Sequence, residues 1–323
     1  MKPRIIYMGT PEFAVAPLEA LLDAGYEIAA VVTVPDKPSG RGLKLNESAV
    51  KQFAVSKGLD VLQPVSLKDS EFLSALEKYN ADLFIVVAFR MLPKVVWSMP
   101  KMGTFNLHGS LLPQYRGAAP INWAIINGET RTGVTTFFID EKIDTGNILM
   151  QEETPIGADE NVGSLYERLM AIGASLVVKT VEGLENGELT PKPQSEFIKE
   201  DEKINEAPKL NKELCRINWN GSAEQIHCLV RGLSPYPAAY STISDGEKSV
   251  DMKIYSISPV GGSCANSAEE VGSISTDGKS YIHVCCGCGK IALDEIQLAG
   301  KKRMKVKEFL LGFRNIEKYR FLL

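Results

Sequence analysis

Several things are missing from this chain, and each absence narrows what it can be. No stretch approaches the roughly 20 apolar residues that cross a membrane, so a membrane protein is not expected. Met1-Lys2-Pro3-Arg4 leads straight into the short apolar run Ile5 to Met8, which lacks the longer apolar core and small-residue site of a secretory leader. A cytoplasmic protein is the expectation. Histidine is scarce, with 3 in 323 residues, and the 6 cysteines build no disulfide framework in a chain this long. Cys285-Cys286-Gly287-Cys288 does not supply the two spaced ligand pairs of a zinc site. No metal is expected there, and the run YIHVCCGCGKIALDEI reads as a strand and turn with small buried thiols. There is also no G-x-G-x-x-G after the first apolar run and no acidic residue closing the second. A nicotinamide-dependent oxidoreductase should carry both.

What is present reads as α/β. Hydrophobic residues make up 44% and charged residues 24%, the mix of an ordinary globular protein, and the length suits two domains. Ile5 to Met8 reads as a buried strand, Thr10-Pro11 as a helix cap and first turn, and Phe13, Leu18, Leu21 and Leu22 as one helical face stopped by Gly25. A second strand at Ile28 to Val34 completes a βαβ unit, hence a Rossmann-like, doubly wound sheet without the dinucleotide fingerprint. Helices follow at 48–57 and 69–79, with strands near Val61 and at Leu83 to Ala88. Ahead of them, after the second strand, Pro35 to Asn46 is a long loop rich in Pro, Gly and cations, with Arg41 between two glycines at its tip.

The stretch from Gly103 to Ala124, GTFNLHGSLLPQYRGAAPINWA, carries the chemistry. It begins as a strand, so Asn106 and His108, two residues apart, share one face while Leu107 turns to the other. A Pro/Gly loop containing Arg116 follows, and a helix opens at Ala119-Pro120. Asp144, in IDTGNIL after the strand-like run Val134 to Ile139, sits where a carboxylate can reach an imidazole N–H. An amide donor, an acid/base and an orienting acid are what acyl transfer needs. No Ser or Cys nucleophile is placed with them, which points to direct transfer.

Ile148 to Pro155 reads as a strand, and Val162 to Leu184 as a long helix with Leu165, Leu169, Ile172 and Leu176 inward. The organisation expected is a catalytic domain over 1–187, a polar, Pro-interrupted linker over 188–207 and a second domain over 208–323. That second domain opens with a capping box, Ser222 and Gln225. Five short alternating runs follow, consistent with a small OB-like barrel. From Pro208 on there are 16 Lys/Arg against 12 Asp/Glu, leaving 20 against 28 before it. An acidic catalytic half with a basic arm suits a polyanionic partner.

NLHGSLLPQYRGAAPINWAI followed by DTGNI resembles the signature of the folate-dependent formyltransferases. IIYMGTPEFA, the loop TVPDKPSGRGLKL and the second domain narrow the resemblance to the branch acting on methionyl-tRNA. It covers essentially the whole chain. The resemblance implies transfer of a formyl group from 10-formyltetrahydrofolate, as donor co-substrate, to the α-amine of initiator methionyl-tRNA. Asn106, His108 and Asp144 would be catalytic, and Ser110, Leu111, Leu112 and Pro113 would wall the folate pocket. Arg41 matches a key tRNA-contacting arginine, with Lys37 and Lys44 beside it and Lys301, Lys302 and Arg303 on the basic arm. A monomer is expected. One departure is Phe89-Arg90-Met91-Leu92-Pro93, which lacks the glycine of Tyr-Gly-x-x-Leu-Pro and is one residue shorter. The same catalytic trio would also suit a small-molecule acceptor, or hydrolysis of the formyl-folate. A non-catalytic tRNA-binding protein is the alternative of another class.

Overall fold

The computed structural model describes residues 2–39, 44–199, 201–260 and 270–323. The first apolar run forms β1 (Ile5–Gly9), and the helical face that follows forms α1 (Val15–Asp23). Thr10 does not cap that helix. A 3-10 turn over Glu12–Ala14 intervenes, and the cap position is Ala14, with no side-chain cap bond. Gly25, at φ +74°, ends the segment as expected. Then come β2 (Ile28–Val32), β3 (Lys37–Ser39), β4 (Lys44–Asn46), α2 (Ala49–Ser56), β5 (Val61–Leu62), α3 (Ser70–Lys78), β6 (Leu83–Val87), α4 (Lys94–Trp97) and β7 (Thr104–His108). After β7 the chain runs through β8 (Arg116–Gly117), α5 (Pro120–Ile126), β9 (Arg131–Phe138), β10 (Ile148–Pro155), α6 (Val162–Glu185) and β11 (Glu206–Ala207).

Seven of these strands form one sheet in the order β10-β9-β7-β6-β1-β2-β5. The pairs β6–β7, β1–β6, β1–β2 and β2–β5 are parallel, whereas β9 runs antiparallel to β7. Every residue of β1 and β6 is buried, as parallel strands covered on both faces require. The fold is therefore the expected Rossmann-like α/β sheet, with an antiparallel extension beyond β7. The segment read as a long loop, Pro35 to Asn46, instead carries an antiparallel hairpin, β3 against β4. Its tip, with Arg41, lies outside the described residues.

The second unit adds α7 (Ala223–Leu233), β12 (Ala239–Ser244), β13 (Ser249–Val260), β14 (Ile274–Thr276), β15 (Ile282–Cys285), β16 (Lys290–Leu298), β17 (Met304–Lys305), α8 (Val306–Gly312) and β18 (Arg320–Phe321). The main path is β14-β15-β16-β13-β12-β18, and a bridge between Ser273 and Arg320 brings its two ends together. That closure gives the small sheet its nearly barrel-like form and protects its edges. Its interior is mostly aliphatic, with Trp219 fully buried against the Phe321 ring at 4.5 Å between centres and donating Nε1–H to Ser241 Oγ at 2.9 Å. Cys285 and Cys286 are buried as expected, but Cys288 sits in the turn and is exposed.

The capping box is formed on both sides, with Gln225 N–H donating to Ser222 Oγ at 3.1 Å and Gln225 Oε1 accepting from Ser222 N–H at 3.0 Å. Ser222→Ala should cost about 1 kcal/mol. Chemical denaturation compared with Ser249→Ala, at an exposed strand position outside any helix cap, checks this.

Contacts divide the chain into two compact units: Met1–Pro120, Thr132–Thr154 and Tyr166–Ala207 in one, and Ile121–Arg131, Pro155–Leu165 and Pro208–Leu323 in the other. Two excursions from the amino-terminal half thus belong with the barrel. Within that unit, Asn122 Nδ2 donates to the Gly232 carbonyl at 2.8 Å, and Trp123 Nε1 to that of Pro208 at 2.8 Å. The segment 188–207, read as a linker, is grouped with the first unit and has backbone pairings of its own. Among the described residues no helix is long and apolar enough to cross a membrane.

Candidate active site

The site is built at the carboxyl end of β7. In open α/β sheets that edge is where ligands are held. Register with β9 sets Asn106 opposite Phe137 and His108 opposite Thr135. The alternation holds: Leu107 packs on the other face, its side chain filling the space beside Gly173 of α6. Asn106 Oδ1 is buried and has no hydrogen-bond partner among the described residues. An orphaned acceptor of that kind costs about 1–3 kcal/mol, which makes it a candidate partner for a ligand N–H or O–H.

His108 is 7% exposed, and its Nε2 lies 2.8 Å from the Tyr115 carbonyl oxygen. A carbonyl only accepts, so Nε2 carries a hydrogen, and in the neutral ring Nδ1 holds the lone pair. Nδ1 faces Asp144 Oδ2 at 3.8 Å. That is ion-pair range, longer than a hydrogen bond. The ring is therefore oriented from its Nε2 side by a backbone carbonyl. Asp144, expected to hold the imidazole by a hydrogen bond, instead accepts at Oδ2 from Gly117 N–H at 2.9 Å.

Local backbone explains both placements. Tyr115 takes φ +62°, which turns its carbonyl toward the imidazole; its own N–H donates to the Asn205 carbonyl at 2.7 Å. Asp144 takes φ +54° in the turn between β9 and β10. Asp tolerates this left-handed region better than most side chains. Thr145 Oγ donates to the Asp140 carboxylate at 2.8 Å, and Gly146 approaches the Phe138 carbonyl so closely that a Cβ would lie 1.7 Å from it. Acid-Thr-Gly is thus the sequence of a tight turn that aims a carboxylate.

The segment expected to wall the folate pocket is firmly tied down. Thr135 Oγ donates to the Ser110 carbonyl at 2.6 Å and accepts from Leu112 N–H at 3.1 Å; Gln151 Nε2 donates to the Leu112 carbonyl at 2.8 Å. Ser110 is fully buried, its hydroxyl donating to the Gln114 carbonyl at 2.6 Å, and Leu112 packs in a core cluster with Phe137 and Ile148. Pro113 is buried, and of the four only Leu111 is half-exposed. In the atypical loop, Arg90 crosses to donate to the carbonyls of Pro64 and Val65, at 2.5 and 3.0 Å.

Of the candidate tRNA contacts, Lys37, Lys301 and Lys302 are exposed. Arg303 is engaged: Nη2 meets Glu295 Oε2 at 2.5 Å and the guanidinium lies 4.2 Å from the Tyr255 ring centre. Lys44 is placed by its backbone on β4, opposite Ser39.

Sequence reasoning missed Gln194. It lies in the Pro-interrupted stretch 188–207, is 4% exposed, and accepts from Arg116 Nε and Nη2 at 3.0 and 2.6 Å. Its Nε2 donates to the carbonyls of Asp144 and Gly146, at 2.8 and 2.9 Å. A lone polar residue in a polar run has no periodicity to betray its burial. The neighbouring Pro193, which starts a 3-10 turn over Gln194–Phe197, was the available signal.

Similarity to known proteins agrees with this architecture. Residues 1–181 match the formyl transferase family model, and residues 209–314 match the formyl transferase C-terminal domain. A methionyl-tRNA formyltransferase of Parabacteroides distasonis is 54% identical over 318 residues, covering 98% of this chain and 97% of the relative. One from Flavobacterium johnsoniae is 51% identical, covering 96% of each. Among solved structures, HypX from Aquifex aeolicus in complex with tetrahydrofolic acid aligns with a TM-score of 0.62 at 18% identity. That alignment covers 97% of this chain but 47% of HypX, so the two share the fold alone. With both family models matched in order and near-full-length relatives at half identity, the chain belongs to the formyl transferase family, among the methionyl-tRNA formyltransferases.

Proposed function

We propose that this chain transfers a formyl group from 10-formyltetrahydrofolate to the α-amine of initiator methionyl-tRNA, giving the N-formylated form used to start translation. The observation that carries the reading is the polar face at the end of β7. There, a buried amide oxygen without a partner among the described residues sits two residues from an imidazole tied at one nitrogen. Such a face fits a formyl donor and an amine, whose N–H groups answer the orphaned oxygen. The donor supplies an electrophilic carbonyl, and the rest is the work of the chain. Asn106 Nδ2 donates to the carbonyl oxygen as charge grows on it. His108, its Nε2–H held by Tyr115, exchanges a proton at Nδ1 between the amine and the departing folate nitrogen. Asp144 Oδ2 faces that same Nδ1 from 3.8 Å. The backbone of 110–113 and Leu111 wall the pocket beside the formyl group.

In this reading residues 1–187 perform the transfer, 188–207 connect, and 208–323 bind tRNA. Lys37 and Lys44 on the hairpin, and Arg41 between them in sequence, meet the acceptor end. Lys301 and Lys302 are exposed cations for the backbone, and Arg303, paired with Glu295, contributes less. The names of the near-full-length relatives support methionyl-tRNA as acceptor over a small amine.

The test is formyl transfer from 10-formyltetrahydrofolate to charged initiator methionyl-tRNA, with free methionine and uncharged tRNA as controls. Product on the charged tRNA alone is expected. Folate turnover without formylated tRNA would move the acceptor to a small molecule or water. Arg41→Ala should raise KM for the tRNA and leave KM for the folate unchanged, as steady-state kinetics would read.

A further inference from the structure

The four hydrogen bonds of Gln194 exhaust its amide, with two donors and both acceptor positions used. They join three separate pieces of chain: Arg116 on β8, the Asp144–Gly146 turn, and residue 194 itself. Gly117, next to Arg116, gives its N–H to Asp144 Oδ2, so the same small assembly fixes the carboxylate and the backbone that carries it. The rest of the segment behaves likewise. Gln114 Nε2 donates to Glu202 Oε1 and the Lys203 carbonyl, and its Oε1 accepts from Asn205 N–H. The Lys199 N–H and the Gln114 amide hold the Glu202 carboxyl below its usual range. Asn205 accepts from the N–H of Tyr115, the residue whose carbonyl holds His108.

We propose that Gln194 is a positioning residue for formyl transfer, setting Asp144 toward His108 from within a segment that looks like a connection. This rests on the functional reading above. Its amide delivers no atom to the reaction and acts only through the Asp144 turn and Arg116.

The discriminating variant is Gln194→Glu, which keeps an acceptor pair for Arg116 and removes the two donors to the turn. The expected result is a kcat at least about tenfold lower, because small displacements of catalytic groups carry such losses. KM for folate and tRNA should stay within about twofold, with little change in thermal unfolding. On an Asp144→Asn background the same change should add almost nothing, since both act through one carboxylate. Gln194→Met, which removes all four bonds, should lose at least as much. Hydrogen exchange gives a readout without turnover: the Gly117 amide, held by Asp144, should exchange faster in both variants. Wild-type kcat in both variants, a full further loss on the Asp144→Asn background, or unchanged Gly117 exchange would each overturn the proposal. A wild-type chain that transfers no formyl group is the separate failure, that of the functional reading, and the exchange experiment still decides the geometry.

Discussion

Asn106→Ala should lower kcat for formyl transfer by about 10²–10³-fold, the usual consequence of removing one preorganised oxyanion donor. The fold should survive, because Asn106 Oδ1 makes no hydrogen bond among the described residues and its removal breaks none there. Deleting an unsatisfied buried acceptor relieves a cost, so the variant should be at least as stable as the wild type. The signature is therefore opposite in sign for activity and stability. His108→Ala should lose activity on a similar scale, but it also breaks the Nε2–H bond to the Tyr115 carbonyl and so should destabilise the protein as well. Single-turnover formylation alongside thermal unfolding separates the two. An Asn106→Ala enzyme with near-wild-type kcat would remove the amide from the mechanism.

The second large effect is expected at Gly117. Its φ is +126°, in the region where a side chain is strained, and a Cβ there would lie 2.5 Å from the Ala207 carbonyl oxygen. The neighbour is backbone, so no rotamer change relieves the overlap. β8 must pull away from β11, whose pairings set Arg116 against Glu206 and Gly117 against Ala207. Strain of this sort costs about 1–3 kcal/mol before the overlap is added. The movement also takes the Gly117 N–H from Asp144 and shifts Arg116 from Gln194. Gly117→Ala should thus lose stability together with about 10–10²-fold in kcat. Gly58→Ala is the control: φ is +70° but nothing lies within 4 Å of the added carbon, so strain alone should appear, with activity intact. Equal kcat in both variants would show that the β8–β11 contact has no bearing on catalysis.

The divide between what was readable and what was not follows the physics of each residue. Strand β7 was readable because alternation is a local property: placing Asn106 on the strand fixes His108 beside it and Leu107 behind. Asp144 was readable because Asp-Thr-Gly names its own turn. Tyr115 was not, since its contribution is a carbonyl aimed by a positive φ, and side-chain identity says little about that. Arg116 was seen only as a loop cation, because its partner lies 78 positions away. Gln194 and the hairpin at Lys37 were hidden by composition: polar, Pro-containing stretches read as loops whether or not their backbones are paired. The Thr10 cap failed for a simpler reason, a 3-10 turn that delays the helix.

The strap over 188–207 also bears on how such chains are taken apart and recombined. The family models leave residues 182–208 uncovered between them, which invites treating that interval as interchangeable. Yet the N–H groups of Tyr115, Ala118 and Ala119 find their acceptors on Asn205 and Ala207. A chimaera joined at the end of the first model would import a foreign strap against its own Tyr115–Ala119 backbone. The natural seam comes after Ala207, where the last of these acceptors has been supplied.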